Sequence, residues 1–276
     1  MTATGQLLAP GYTVIEHLSR TRRLDTFEVW SDERACSCVA KALRPDRVDD
    51  ERARAALRRE GQLLSELAHP HIVRGYELIE DGPIAVMETL AGETLGHLLD
   101  RGALEADEVA WLGLQLASAL RYLHRRGLLH LDVKPSNIIA SAGRAVLIDL
   151  SLAREPGRYR AGLGTWCHLS PEQARGDRLT AAADVWGLGT VLYEAATGEP
   201  AFEDDASVAS TGDTWQTEEQ LDAGFPQLEA PAPKATGPLA AVIDACLAFD
   251  PTDRPTLPEL AAELRPHAPG AHPWSD

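Results

Sequence analysis

The chain has 276 residues, 25% of them charged and 44% hydrophobic, with a formal net charge of −16. Those fractions suit a soluble globular protein and exclude a fibrous or disordered one, and the length suits a single unit with two lobes. The negative field excludes broad binding to nucleic acid or to an anionic membrane, so an anionic ligand needs locally placed cations.

The start, MTATGQLLAPGYTV, has no basic stretch ahead of an apolar run, so no signal peptide is expected. No run of about 18 apolar residues occurs, so no membrane span is expected either. Cysteines stand at 36, 38, 167 and 246, without zinc-like spacing. Alternation puts Cys36 and Cys38 on one strand face, where packing is their expected role, in a reduced, cytoplasmic protein.

From 12 to 43 the runs YTVIEHL, TFEVW and CSCVAKAL read as short strands between polar turns. The spacing of Ala53, Leu57, Leu64 and Leu67 predicts a helix over about 47–68, with Glu60 on the same stripe. Two more strands follow, around RGYELIE and PIAVMETL.

After residue 90 long helices take over. One carries Val109, Leu112, Leu116, Leu120 and Leu123 on a single face and ends at Gly127. LLHLDVKPSNIIA and AVLIDLSLA are short apolar pieces interrupted by acids. DVWGLGTVLYEAATG, apolar nearly all round, marks a buried helix. The acidic, proline-rich stretch 199–236 reads as loop with one short helix, 237–265 as two closing helices, and the tail as frayed.

Three charges interrupt apolar runs: Lys41 in CVAKAL, Glu60 on the helix stripe and Asp149 in VLIDLSLA. Each alone is compatible with an edge residue reaching solvent. Because an unpaired buried charge costs several kcal/mol, the three together suggest one mutual constellation. Between them lies HLDVKPSN, with His130, Asp132, Lys134 and Asn137.

In this order (strand lysine, helix glutamate, H-x-D-x-K-P-x-N loop, aspartate opening a D-F-G-like triplet) the chain resembles the eukaryotic-like serine/threonine protein kinases of bacteria. GTWCHLSPEQ, DVWGLGTVLYEAATG and DPTDRP extend the resemblance to roughly residues 12–265. It implies an α+β, bilobal kinase fold: an extension over 1–11, a strand-rich small lobe over 12–88 with one long helix, a helical large lobe over 89–265 and a tail over 266–276. The cofactors implied are ATP and Mg2+, and the partner is a protein substrate offering Ser or Thr, as the D-x-K-P-x-N form indicates.

By the same resemblance Lys41 holds the α- and β-phosphates and Glu60 holds Lys41. Asn137 and Asp149 bind magnesium, Asp132 is the catalytic base, and Lys134 neutralises the transferred group. Thr165 links the catalytic loop to the substrate segment. Met87 lies at the back of the nucleotide pocket, and backbone groups of Glu88 and Leu90 meet adenine. His130, Asp184 and the Glu172–Arg254 pair are structural.

The chain departs from the family pattern in four places. Leu131 replaces the arginine that receives an activation-loop phosphate, and 150–164 offers only Ser151 and Tyr159 as hydroxyls, so activity is expected not to depend on phosphorylation there. Leu150 and Ser151 stand for Phe and Gly of D-F-G. His168 and Ser170 replace a tyrosine and an alanine of the substrate segment. Finally, HLSRTRRLDTFEVW aligns with the glycine-rich nucleotide loop without a gap, placing Ser19, Thr21 and Leu24 at its glycines. Arg20, Arg22 and Arg23 either offer guanidinium groups to the phosphates or are simply solvated. The alternative to an active kinase is a pseudokinase scaffold that binds nucleotide or a partner protein. With no sensor domain in view, a regulatory partner or the level of expression is the expected source of any signal.

Overall fold

The structure, a computed structural model, describes residues 4–141, 143–202, 226–229 and 232–268. The chain divides into two compact units between Ala91 and Gly92.

In the first unit β1 (Leu7–Ala9), β2 (Tyr12–Arg20), β3 (Leu24–Ser31), β4 (Cys36–Leu43), β5 (Gly75–Ile79) and β6 (Ile84–Glu88) form one antiparallel sheet in the order β1-β2-β3-β4-β6-β5. Side chains alternate between faces along each strand. Phe27, Val29, Cys38, Ala40 and Ala42 therefore share one core with Tyr12, Val14, Ile84 and Val86, while Lys41 takes the opposite face. Cys36 packs against that core, and burial pushes the Cys38 thiol up to about 11, leaving it a packing residue. Residues 7–9, which the sequence left in an extension, are the edge strand of this sheet, because Gly11, at φ +80°, turns the chain back at that point.

Helix α1 (Glu51–Glu66) begins later than the periodicity predicts. Asp50 accepts hydrogen bonds from the N–H groups of Arg52 and Ala53 at 3.1 and 3.0 Å, a cap that sets the start, and Pro45–Arg47 form a separate 3-10 turn. The predicted stripe, Ala53, Leu57, Glu60 and Leu64, is buried.

The second unit opens with β7 (Glu93–Thr94), α2 (Leu95–Leu99) and α3 (Ala106–His124), whose stripe from Val109 to Leu123 is buried. A three-stranded sheet joins β7 to β8 (Ile138–Ser141) and β9 (Arg144–Leu147). Next come β10 (Gly157–Arg158), α4 (Pro171–Arg175), β11 (Arg178–Leu179) and α5 (Ala181–Thr197), and β10 pairs with β11. Helix α5 is buried from Ala183 to Leu192, matching its apolar text. The described remainder is α6 (Pro226–Glu229), α7 (Ala240–Cys246) and α8 (Leu257–Leu264). Most of the 199–236 stretch and the tail beyond 268 lie outside the described residues. Among those described, no helix is long and apolar enough to cross a membrane.

Candidate active site

In the first unit Lys41 Nζ donates to Glu60 Oε1 at 2.6 Å, and the Glu60 side chain is 1% exposed. Strand pairing fixes the lysine and the apolar stripe of α1 fixes the glutamate. Removing either would leave the other charge buried, at a cost of about 3–5 kcal/mol. Met87 is buried at the end of β6. Glu88 donates its N–H to Arg74 O at 2.9 Å. Leu90 follows the strand, and its backbone makes no hydrogen bond among the described residues, which leaves its N–H open.

The glycine-free turn spends two of its three arginines on acids of the same unit and leaves the third exposed. Arg20 donates to both carboxylate oxygens of Asp25 at 2.6 and 2.8 Å, and His17 Nε2 is 3.0 Å from Oδ1. This guanidinium holds the Asp25 carboxyl below its ordinary range. Arg23 pairs with Asp50 at 3.3 Å, while Arg22 is exposed.

Ser19 and Leu24 lie in β2 and β3, so only Thr21 of the three glycine positions is in the turn. There Thr21 Oγ1 accepts from Leu24 N at 3.0 Å and Arg23 N at 3.4 Å, and Thr21 N donates to Leu24 O at 2.8 Å. Arg44 caps the turn through the carbonyls of Thr21 and Arg22. None of these residues has positive φ, so the turn needs no glycine, and its N–H groups at 21, 23 and 24 are consumed within it.

In the second unit the polar residues of the His130–Asn137 loop and Thr165 converge on Asp132. Thr165 Oγ1 donates to Asp132 Oδ1 at 2.7 Å and accepts from Lys134 Nζ at 2.6 Å. Lys134 Nζ is also 3.3 Å from Asp132 Oδ2. Asn137 Nδ2 donates to Asp132 Oδ2 at 2.9 Å and to its backbone O at 3.0 Å. Asp132 is thus aimed by three side chains and remains 5% exposed.

Backbone bracing supplies the rest. Asp184, near the start of α5, accepts from the N–H groups of His130 and Leu131 at 2.8 and 2.7 Å and contacts His124 Nε2 at 2.7 Å. Burial works to raise the Asp184 carboxyl, but its bond to His124 and the nearby histidine charges take it below its ordinary value. Burial holds His130 on the neutral side, and its Nδ1 accepts from Asp132 N at 3.3 Å. His168, beside Thr190 at 3.0 Å, is pushed down to about 4 by burial, with Lys134 adding to the effect. Glu172 and Arg254 form a bidentate buried pair at 2.6 and 2.9 Å, with Arg254 also donating to the carbonyls of Ala182, Ala248 and Phe249.

Leu131 packs with Leu129, Leu152, Leu163, Leu179 and Ala183 and adopts φ +65°. The residue that sequence reading missed is Gln173. Its Nε2 donates to Leu131 O at 2.9 Å and to Leu163 O at 2.8 Å, and its Oε1 accepts from Ser170 N at 3.1 Å. It stitches the catalytic loop to the segment ahead of Thr165. The signal was the capping-box spacing of Ser170 and Gln173, whose second use only the fold reveals.

The donors available for magnesium are hard oxygens. Asn137 spends its amide N–H groups on Asp132, which leaves Oδ1 without a hydrogen bond among the described residues. Asp149 accepts from Ser151 N at 2.8 Å. No cluster of three His, Cys, Asp or Glu suited to a metal occurs among the described residues. One amide and one carboxylate oxygen fit an ion that completes its shell with water and phosphate.

Residues 23–265, which include this network of aspartate, lysine, asparagine and threonine, match the protein kinase domain: the chain belongs to the protein kinase family. Within it, the chain is similar to the Hanks-type serine/threonine kinases of bacteria. It is 34% identical over 231 residues to the probable serine/threonine-protein kinase SCO3848 of Streptomyces coelicolor, covering 78% of this chain and 33% of the relative. It is 36% identical over 219 residues to the serine/threonine-protein kinase PknB of Mycobacterium leprae (74% and 34% covered). The probable serine/threonine-protein kinase CE0033 of Corynebacterium efficiens is 34% identical over 242 residues (82% and 36%). The chain thus spans about a third of the length of these relatives. The match begins at residue 23, so the strand and turn over 12–22, where two of the three glycine positions fall, lie outside it.

Proposed function

We propose that the chain is a magnesium-dependent kinase that moves the γ-phosphoryl group of ATP to Ser and Thr hydroxyls of proteins in the cytoplasm, without needing phosphate on residues 150–164. The observation that carries this reading is the Thr165–Lys134–Asp132–Asn137 network, which aims a buried carboxylate and presents a lysine beside it. Cys36, Cys38, Cys167 and Cys246 form no disulfide among the described residues, which suits a reducing compartment.

Phosphoryl transfer needs alignment and charge neutralisation more than covalent help. Asp132 accepts the proton of the substrate hydroxyl as its oxygen bonds to the γ-phosphorus and the bond to ADP breaks. Lys134 neutralises the moving group. In the first unit Lys41, kept oriented by Glu60, grips the α- and β-phosphates. Glu88 O and Leu90 N–H meet the adenine edge beside Met87. Asn137 and Asp149 hold Mg2+, which neutralises phosphate charge when bound.

Independence from phosphorylation is supported by the segment's own packing. Leu131 joins Leu152 and Leu163 in an aliphatic cluster, Gln173 ties the segment to the loop, and Ser151 lies two residues from Asp149. Contacts of this kind do the work that an arginine–phosphate bridge would otherwise do.

The self-satisfied turn at Thr21–Leu24 favours a second reading, a pseudokinase scaffold that binds nucleotide or a regulatory protein without efficient transfer. Transfer of labelled γ-phosphate to a generic basic protein, with Asp132→Asn and Asp149→Ala as controls, separates the two. Label above both controls supports the kinase, and label at control level sinks it. A thermal shift with ATP, with and without magnesium, then reports whether nucleotide binds at all.

A further inference from the structure

Arg158 and Arg178 stand directly opposite each other in the β10–β11 ladder. Cross-strand partners project from the same face with Cβ atoms roughly 4.5–5.5 Å apart, and like charges placed so repel. Both side chains are exposed. Among the described residues neither guanidinium has a hydrogen bond, an ion pair or a ring partner. The nearest acid in sequence, Asp177, is taken by Arg175 at 3.1 Å.

The ladder is nevertheless rigidly set. Gly176, at φ +73°, comes so close to Ala161 that a Cβ would lie 2.9 Å from its N, and Gly162 N donates to Gln173 O at 2.9 Å. Through Gln173 the same segment is tied to Leu131 O, next to Asp132. In a chain of net charge −16, two arginines without a counter-charge among the described residues are thus placed in register on the segment that leads to Thr165.

We propose that Arg158 and Arg178 together bind a phosphoserine or phosphothreonine side chain of the protein substrate, so that the enzyme favours substrates already phosphorylated at a neighbouring position. This rests on the reading of the chain as a protein kinase. A phosphorylated side chain carries a charge of about −1.5 to −2, which matches two guanidinium groups, whereas one carboxylate would leave a net cation. Each guanidinium presents a planar fork of donors, and phosphate oxygens can accept from both forks at once.

The test is a binding measurement that needs no turnover. A fluorescein-labelled Ala/Gly peptide carrying one phosphoserine is titrated with the whole chain without ATP, alongside its serine and glutamate counterparts. The phosphoserine peptide should bind at least about tenfold tighter than either, one charge-assisted contact being enough for that. Arg158→Gln with Arg178→Gln should abolish the preference, Arg158→Lys with Arg178→Lys should keep part of it, and Asp132→Asn should keep it whole. Because repulsion is relieved, Arg158→Gln with Arg178→Gln should melt no lower than the parent chain, a melt that checks that this variant folds.

Equal binding of the three peptides, a preference that survives the double Gln variant, or displacement by inorganic phosphate at the same concentration as by the phosphopeptide would each overturn the proposal. Since Asp132→Asn cannot turn over, loss of phosphopeptide binding is distinguishable from failure of the kinase reading.

Discussion

The Thr165 hydroxyl stands between Lys134 and Asp132, accepting from the ammonium at 2.6 Å and donating to the carboxylate at 2.7 Å. It holds a carboxylate and a cation of the His130–Asn137 loop in one arrangement from a separate segment of the chain. Gly164, at φ +137°, makes this possible: a Cβ there would lie 2.6 Å from Leu169 Cδ2 and 3.1 Å from Leu131 O. Replacing Thr165 by Val keeps the shape and removes both bonds. The expected outcome is a fall in kcat of about 10- to 100-fold with little change in Tm, and near-full rescue by Ser, read by steady-state kinetics and melting.

Leu131 occupies a left-handed backbone position with its side chain in the aliphatic cluster. Leu131→Ala should cost about 2–4 kcal/mol in a denaturant titration, because the cavity opens between the catalytic loop and the 150–164 segment. Leu131→Arg should destabilise at least as much, since the cluster offers no counter-charge, and should not make activity depend on phosphorylation.

The Arg20–Asp25 clamp leads to a contrast within one turn. Asp25→Ala should lower stability by about 1–3 kcal/mol and raise the ATP concentration needed for half-maximal rate, because the turn loses its buried anchor. Arg22→Ala with Arg23→Ala should leave that ATP concentration within about threefold, because Arg23 is spent on Asp50 and the turn is closed by Thr21. A larger rise in the double variant would assign the phosphates to those arginines after all.

Glu194, in α5, has its carboxyl pushed up to about 7 by burial, with the charge of Asp100 adding to the effect. A carboxyl with a raised folded pKa stabilises fully below its unfolded value, here 4.5, and the stabilisation is lost as pH rises to about 7. Glu194→Gln should therefore gain roughly 1–3 kcal/mol at pH near 8 and nothing near pH 4.5. His168 works the other way: with its pKa lowered from 6.5 to about 4, it removes stability as pH falls through that window. Chemical denaturation of both chains across pH reads the two effects separately.

Much of this was legible in the sequence because the deciding residues break local patterns. Lys41 and Glu60 interrupt a strand and a helix stripe whose periods are unambiguous, and they meet at 2.6 Å. The loop from His130 to Asn137 is contiguous, so its polar residues could be picked out without knowing the fold. Features made by pairing distant segments were not legible. Gln173 looks like a capping residue until its amide is seen bridging Leu131 and Leu163, positions 42 and 10 residues away. Asp25 looks like a solvated turn acid, and only the β2–β3 register buries it beneath Arg20 and His17. The opposition of Arg158 and Arg178 depends on a ladder of two residues a side, too short to leave any periodic trace.

The central claim is an active kinase whose 150–164 segment is ordered by its own contacts and not by phosphate. Its most direct test is the initial rate of labelled phosphate transfer by protein treated with phosphatase, with intact mass showing that no phosphate remains. The account predicts a rate within about twofold of the untreated enzyme and well above the Asp132→Asn control. A fall to the level of that control after dephosphorylation, with the lost phosphate mapped between residues 150 and 164, would contradict it.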